Sequence, residues 1–327
     1  MQSDISVRDV KKPAAKRLTK DKVRKFLAGT RTKNGAVKTV AVYALLICIG
    51  FIYLYPVLYM VSASFMSLDD LLDSSIKWIP GRLNVSNYVQ AGQSMNFWKS
   101  FRQSVLIAGL PTLCTLLSCS VIGYGLARFR FPGNGVIMGI IVFSFVLPGQ
   151  VLMIPTYVMY SEMKILGTLW SFILPALLGQ GLNAPIFILI FRQFFRTVPK
   201  ALIEAASIDG AGYFRSFWRI SLPAAIPAFI TVSLFSFVWY WNESYLTELY
   251  VHGVLTDSGW TTLVLQLRAF ASNYNAYQVT AQSGATSLNE ALKMAGTLLA
   301  VLPLLIMYFV LQKYFTESID RTGITGE

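Results

Sequence analysis

Residues 204–223 read Glu204-Ala205-Ala206-Ser207-Ile208-Asp209-Gly210-Ala211-Gly212-Tyr213-Phe214-Arg215-Ser216-Phe217-Trp218-Arg219-Ile220-Ser221-Leu222-Pro223, and they join two apolar stretches of membrane-spanning length, 165–191 and 220–242. Pro199 suits the start of a short helix, where its missing N–H costs nothing. Lys200 to Asp209 can continue that helix, and Gly210 and Gly212 stop it. A second short helix is predicted from Tyr213 to Ile220. Phe214, Phe217 and Trp218 then share one face, and Arg215 and Arg219 share another. A compact pair of helices between two spans has the form of a handle for a partner; the alternative is an ordinary surface connector.

The rest of the chain decides the class. Of 327 residues, 54% are hydrophobic and only 13% charged, with a mean hydropathy of +0.54. Uncharged stretches run over 39–68, 103–127, 131–161, 165–191, 220–242 and 294–312. A helix needs roughly 20 residues to cross a bilayer, so six membrane helices are predicted and the chain is all-α and polytopic. The stretch 269–289 is also uncharged but rich in Ser, Asn, Gln, Thr and Tyr, and it reads as a loop.

Charge orients the chain. With the N-terminus inside and six helices alternating, inner segments hold 21 of the 28 Lys and Arg residues and outer ones 7, while the acids divide 8 and 8. That asymmetry is the positive-inside pattern, and it predicts both termini in the cytoplasm. The same distribution argues against nucleic acid as the reason for the net charge of +12. The chain divides into a basic tail (1–38), a membrane domain (39–315) with an inner loop at 197–220 and an outer loop at 247–292, and a C-terminal tail (316–327). The first tail carries 12 basic residues and is suited to anionic lipid headgroups. Cys48, Cys114 and Cys119 fall within predicted spans without disulfide or metal spacing, and His252 is the one histidine, so no metal site is expected.

Several spans carry breakers. Pro148 and Pro155 should bend the third, predicted over 135–160. Pro175, Gly179, Gly181 and Pro185 should break the fourth, predicted over 167–195, and freed backbone groups in a membrane need neighbours or a water-filled path. Gly123, Gly125 and Ala127 allow close helix approach, and Gly135 and Gly139 have the spacing of a helix-dimer face.

No phosphate-binding Gly-x-x-x-x-Gly-Lys-Ser/Thr, His-Glu-x-x-His, Cys-x-x-Cys or Gly-x-Ser-x-Gly pattern occurs, so the chain is not expected to be an enzyme. The spans also lack the buried ionisable residues that coupled carriers use, which leaves the energy for any pumping to a source outside them. An uncharged path disfavours a charged solute and suits a neutral, hydroxyl-rich one. Gln150, Gln180, Asn183, Trp239, Tyr240, Asn242 and Glu243 are the candidate lining residues. For Trp239–Trp241 the alternative is an interfacial aromatic belt, and for Gln180 and Asn183 it is hydrogen bonding between helices.

The 204–223 pattern resembles the "EAA" loop of binding-protein-dependent ABC importer permeases. Seven fixed identities in 20 positions should arise by chance in far fewer than about 1 in 10,000 chains. The runs Gly123-Tyr124-Gly125-Leu126-Ala127-Arg128-Phe129-Arg130-Phe131-Pro132-Gly133, Met153-Ile154-Pro155-Thr156-Tyr157 and Phe194-Phe195-Arg196-Thr197-Val198-Pro199 look typical of the same family. Over residues 39–327 the chain is similar to its carbohydrate-uptake members, in particular to the maltose-system permease with the short N-terminus. The resemblance implies a type I ABC importer permease fold. It implies coupling to an ATPase through Glu204, Ala205, Ala206, Ile208, Asp209 and Gly210, together with Phe214, Arg215 and Arg219. It further implies a second, different permease subunit, two copies of an ATPase that binds ATP and Mg, and an extracellular solute-binding protein that touches the 247–292 loop. Gly323-Ile324-Thr325-Gly326 resembles tails that reach the ATPase. Permeases for other solutes, and an ATP-independent carrier, are the rival readings.

Overall fold

The computed structural model describes residues 29–30, 33–73, 75, 78–252, 259–281 and 288–324. Most of the basic tail, parts of the outer loop and the last three residues lie outside them. The chain separates into two units, Met1–Ser62 and Ala63–Glu327. In the first, a two-residue antiparallel pair, β1 (Gly29–Thr30) with β2 (Lys33–Asn34), precedes helix α1 (Ala36–Ser64), which continues past the unit boundary. Otherwise the described chain is helical.

The second unit begins on the outer side of the predicted topology with α2 (Leu68–Leu72) and α3 (Ser86–Ser94). Ser67 and Asp70 form a capping box, in which each side chain accepts a bond from the other's backbone N–H at about 3 Å. Asn87 ties α3 to the end of α1 by donating to Ser64 O and Met66 O, both at 2.9 Å. Helix α4 (Phe97–Arg128) follows, 32 residues long and partly buried in the packing. Next come α5 (Asn134–Val146) and α6 (Gly149–Glu162), bent by 100° where Leu147 and Pro148 break the ladder. Pro155 sits within α6 without ending it. Then follow α7 (Trp170–Leu177), α8 (Ala184–Thr197) and α9 (Lys200–Ile208). Helix α10 (Tyr213–Ala224) meets α11 (Ile226–Asn242) at 75°. Helices α12 (Tyr245–Thr247), α13 (Leu263–Arg268), α14 (Phe270–Ala281) and α15 (Glu290–Ile324) complete the chain.

Three helices, α1, α4 and α15 up to Lys313, are long and apolar enough to span a membrane, and the two bent pairs raise the number to five at most. The expected sixth span, over 165–191, is divided between α7 and α8 by the six-residue interruption 178–183, which is why length and composition alone do not count it. The bend at Ala225 also starts the α11 span later than Leu222-Pro223 suggested. The reading of 269–289 as a loop is corrected: α14 is a helix. Its polar residues have partners. Tyr274 donates to Gln90 on α3 at 2.9 Å, Gln278 donates to Tyr274 at 2.6 Å, and Tyr277 bonds Gln93. Phe270 and Tyr274, on that helix, are buried, so polar composition concealed a packed helix.

Two apolar clusters hold the second unit. One joins α3, α13, α14 and α15 to Tyr240, Trp241 and Tyr250. The other packs Phe187, Phe191 and Phe195 of α8 against Cys119 and Tyr124 of α4 and Ala228 and Val232 of α11. Gly123 lets α4 seat on α8: a β-carbon there would lie 2.7 Å from Phe191 Cβ and 3.0 Å from Arg192 N. Gly125, Gly135 and Gly139 have no other atom within 4 Å of that position, so their spacing builds no interface within this chain.

Candidate functional site

Two features stand out, and both begin at a glycine-terminated helix. The first is the arm α9–α10. Helix α9 starts after Pro199 and buries no residue. It ends in a Schellman motif: Gly210 N donates to Ser207 O at 3.1 Å, Ala211 N donates to Ala206 O at 2.8 Å, and Gly210 has φ +79°. That left-handed backbone favours glycine even though nothing crowds the position. Glu204, Ala205, Asp209, Phe214, Arg215 and Arg219 are exposed, and Ala206 is half-buried. Ile208 is 87% exposed and Phe214 77%, an unusual display of large apolar groups beside charges. Among the described residues the one ion pair is Arg268–Glu248, so Glu204 is not spent on an internal bridge. A π-helical turn over Phe217–Ser221 rotates Phe217 inward, to 6% exposure, while Trp218 stays outside. The expected shared face of Phe214, Phe217 and Trp218 is therefore split, although the Phe214 and Phe217 rings both still touch Trp218.

The second feature is the interruption 178–183. Helix α7 also ends in a Schellman motif, with Gln180 N donating to Pro175 O at 2.8 Å, Gly179 N to Ala176 O at 3.3 Å, and Gly179 at φ +72°. Here the surroundings are tight. A β-carbon on Gly179 would run into Ile122, and one on Gly181 would lie 2.7 Å from the Tyr240 hydroxyl. That hydroxyl, buried, accepts a bond from Leu182 N at 2.9 Å, which satisfies a backbone donor that no helix serves. Asn183 (φ +55°) then starts α8, with Pro185 in its first turn.

Beside this interruption lies a cavity of about 600 Å³. Its walls come from the α5–α6 bend, the 178–183 segment, and Tyr240, Leu246 and Tyr250. No Asp, Glu, Lys or Arg lines it; the polar groups are Ser144, Thr156, Tyr160, Ser171, Gln180, Asn183, Tyr240 and Tyr250. Such a wall binds by hydrogen bonds and aromatic faces and offers nothing to offset a buried charge.

The comparisons with known proteins agree with this architecture. Residues 119–321 match the family model for the binding-protein-dependent transport system inner membrane component. The chain belongs to this family. Protein LplC of Bacillus subtilis is 30% identical over 297 residues, covering 90% of this chain and 97% of LplC. A polygalacturonan/rhamnogalacturonan transport system permease of the same organism, YtcP, is 29% identical over 87% of this chain and 97% of its own length. The arabinooligosaccharide permease AraQ of Halalkalibacterium halodurans is 28% identical over 85% of this chain and 93% of its own. Among solved structures, a chain of a bacterial ABC transporter that imports the acidic polysaccharide alginate matches with a TM-score of 0.72 at 22% identity, covering 85% of this chain and 96% of that one; at that identity the likeness concerns the fold.

Of the inner membrane component's candidate lining residues, the fold brings Gln180, Asn183 and Tyr240 to the cavity and leaves Gln150, Trp239, Asn242 and Glu243 off it. The side chains of Gln180 and Asn183 are exposed and make no hydrogen bond to other helices among the described residues. Trp239 packs on Phe187 and Phe235, with ring centroids 5.1 and 5.9 Å away. Tyr240 and Trp241 are buried, so neither forms an interfacial belt. Asn242 donates to Val238 O at 3.0 Å, and Glu243 accepts from Leu246 N at 2.9 Å. Sequence reasoning missed Thr156 and Tyr160. Their signal was helical spacing: Gly149, Leu152, Thr156, Met159, Tyr160 and Met163 recur three or four apart and form one face, from which Gln150 falls away.

Proposed function

We propose that this chain is the permease subunit of an ATP-driven importer that passes a sugar or oligosaccharide, delivered by an extracellular solute-binding protein, across the plasma membrane of a prokaryote. The arm α9–α10 is the observation that carries this reading. It offers free Glu204, small Ala205 and exposed Ile208 on α9 and exposed Tyr213 and Phe214 on α10, joined by a stiff left-handed turn, which is the chemistry of a docking face. In this reading the partner ATPase, with its own ATP and Mg, receives Glu204, Ala205, Ala206, Ile208, Asp209 and Gly210, with Phe214, Arg215 and Arg219 at the rim. The neutral wall of the cavity supports a neutral carbohydrate, and the names of the relatives YtcP and AraQ support carbohydrate as the solute class.

The complex is proposed to hold this permease, a second and different permease, and two ATPase copies. The chain crosses six times, with α7 and α8 together forming one broken span, and both termini face the cytoplasm. The test is reconstitution of the complex in liposomes with the binding protein and a panel of labelled neutral oligosaccharides. Uptake should require ATP and the ATPase. Uptake that persists without the ATPase, or that selects amino acids over sugars, would contradict the reading.

A further inference from the structure

The stretch Gly123–Gly133 lines no part of the cavity and forms no part of the arm's exposed face, yet it touches the arm on both sides. Arg128, the last residue of α4, donates from Nη2 to Val198 O at 2.6 Å, just before α9 begins. The Phe129 ring meets Tyr213, the first residue of α10, edge-on at 5.2 Å. The buried Tyr124 ring contacts Phe195 of α8 at 5.3 Å and Phe217 of the π-helical turn at 4.9 Å. One helix end therefore grips the chain before α9, at the first residue of α10, and farther along α10. Helix α9 itself contributes no buried residue, so these roots are what hold it.

The same helix reaches the cavity wall. Ser118 Oγ donates to Ala176 O at 2.5 Å, and Cys119 Sγ lies 3.8 Å from Ala184 O. These contacts fall on either side of the 178–183 interruption. Ten residues of helix separate Ser118 from Arg128, about 15 Å of continuous hydrogen-bonded rod. At Gly123, midway, α4 lies against α8 with no room for a β-carbon.

We infer that the C-terminal end of α4 is a clamp that fixes the arm's roots to the rod bearing the cavity wall, with Tyr124 and Arg128 as positioning residues for transmission. The inference rests on the proposed ATP-driven reading and adds to it the route by which arm displacement reaches the solute path. A route of this kind requires evidence of coupling and not proximity alone.

The experiment measures solute taken up per ATP hydrolysed in the reconstituted complex, alongside crosslinking of the arm (Ser207→Cys) to the ATPase. Arg128→Ala and Tyr124→Ala should each lower uptake per ATP by about fivefold or more while the arm crosslink persists. Arg128→Lys, which keeps one donor, and Tyr124→Phe, which keeps the ring, should restore most of the ratio. A ratio within about twofold of the parent in both alanine variants, with the crosslink intact, overturns the clamp. If the alanine variants do not assemble, a linked pair decides. In a transport-competent chain cleared of its native cysteines, Phe129→Cys and Tyr213→Cys are joined by a short bis-thiol linker. Uptake that survives linking supports a joint that moves as one body; uptake abolished by linking overturns it. Failure of the parent complex to crosslink at the arm, or uptake without the ATPase, would instead sink the importer reading itself.

Discussion

Helices α7 and α9 end in the same device, a Schellman motif closed by a left-handed glycine, yet the two ends are built for opposite conditions. Gly179 and Gly181 lie under Ile122, Tyr240 and Thr115, where even a methyl group has no room. Gly210 has no other atom within 4 Å of its would-be β-carbon, and only its φ of +79° restrains substitution. The first end is locked into the bundle and faces a cavity. The second stands exposed, with Ile208 and Phe214 turned outward. The difference teaches that one is set by packing within this chain, whereas the other is a tip restrained by its backbone and left uncovered by the described residues.

Substitutions should separate the two. The largest effect is expected at the locked end. Gly179→Leu combines left-handed strain with overpacking and should cost about 2–5 kcal/mol, read as a lowered unfolding temperature in detergent and poor assembly. Tyr240→Phe removes the acceptor for Leu182 N and leaves a buried donor unmet, at about 1–3 kcal/mol, and should also weaken solute uptake because the cavity wall loosens. Wild-type stability in that variant would show that the hydroxyl does not hold the interruption.

At the open end the pattern should invert. Gly210→Ala should cost only the backbone strain, about 1–2 kcal/mol and confined to the end of α9, but should reduce transport far more than it reduces yield. Phe214→Ala should change the chain's own stability by less than about 0.5 kcal/mol, because the ring buries little, while reducing ATPase retention in pull-downs. Equal loss of stability at both ends would erase the distinction between them.

The smallest effect concerns a third helix end, at α2. Backbone and side-chain hydrogen bonds from Ser67 hold the Asp70 carboxyl below its ordinary value of 3.8. A depressed value stabilises the folded state above the unfolded value and ceases to do so as pH falls through the folded one. Asp70→Asn should therefore lower stability at neutral pH, and its difference from the parent should vanish in acid below the ordinary carboxylate range. A difference that persists there would assign the cap to packing.

Much of this was legible from residue order. The arm was, because Pro199, Gly210 and Gly212 punctuate a short helix whatever surrounds it. The break in the fourth span was, because Gly179, Gly181 and Pro185 cannot sustain a ladder. The position of Gln150 relative to the cavity was not, because a 100° bend at Pro148 sets which face of α6 turns inward, and proline announces a bend without its direction. Helix α14 was hidden because its polar side chains pair with Gln90 and Gln93, over 180 positions away in sequence. Phe217 was grouped on one face with Phe214 and Trp218 because the π-helical turn that rotates it leaves no mark in 3.6-residue periodicity.

The central claim is that the tip at Ile208 is a handle seated in a nucleotide-hydrolysing partner on the cytoplasmic side. Its most direct measurement places a photo-reactive residue at Ile208 and irradiates inside-out vesicles that contain the assembled complex. The account predicts an adduct with the ATPase whose yield changes between nucleotide-free and ATP-bound states. Labelling only by lipid, or by a reagent confined to the outer face, would contradict it.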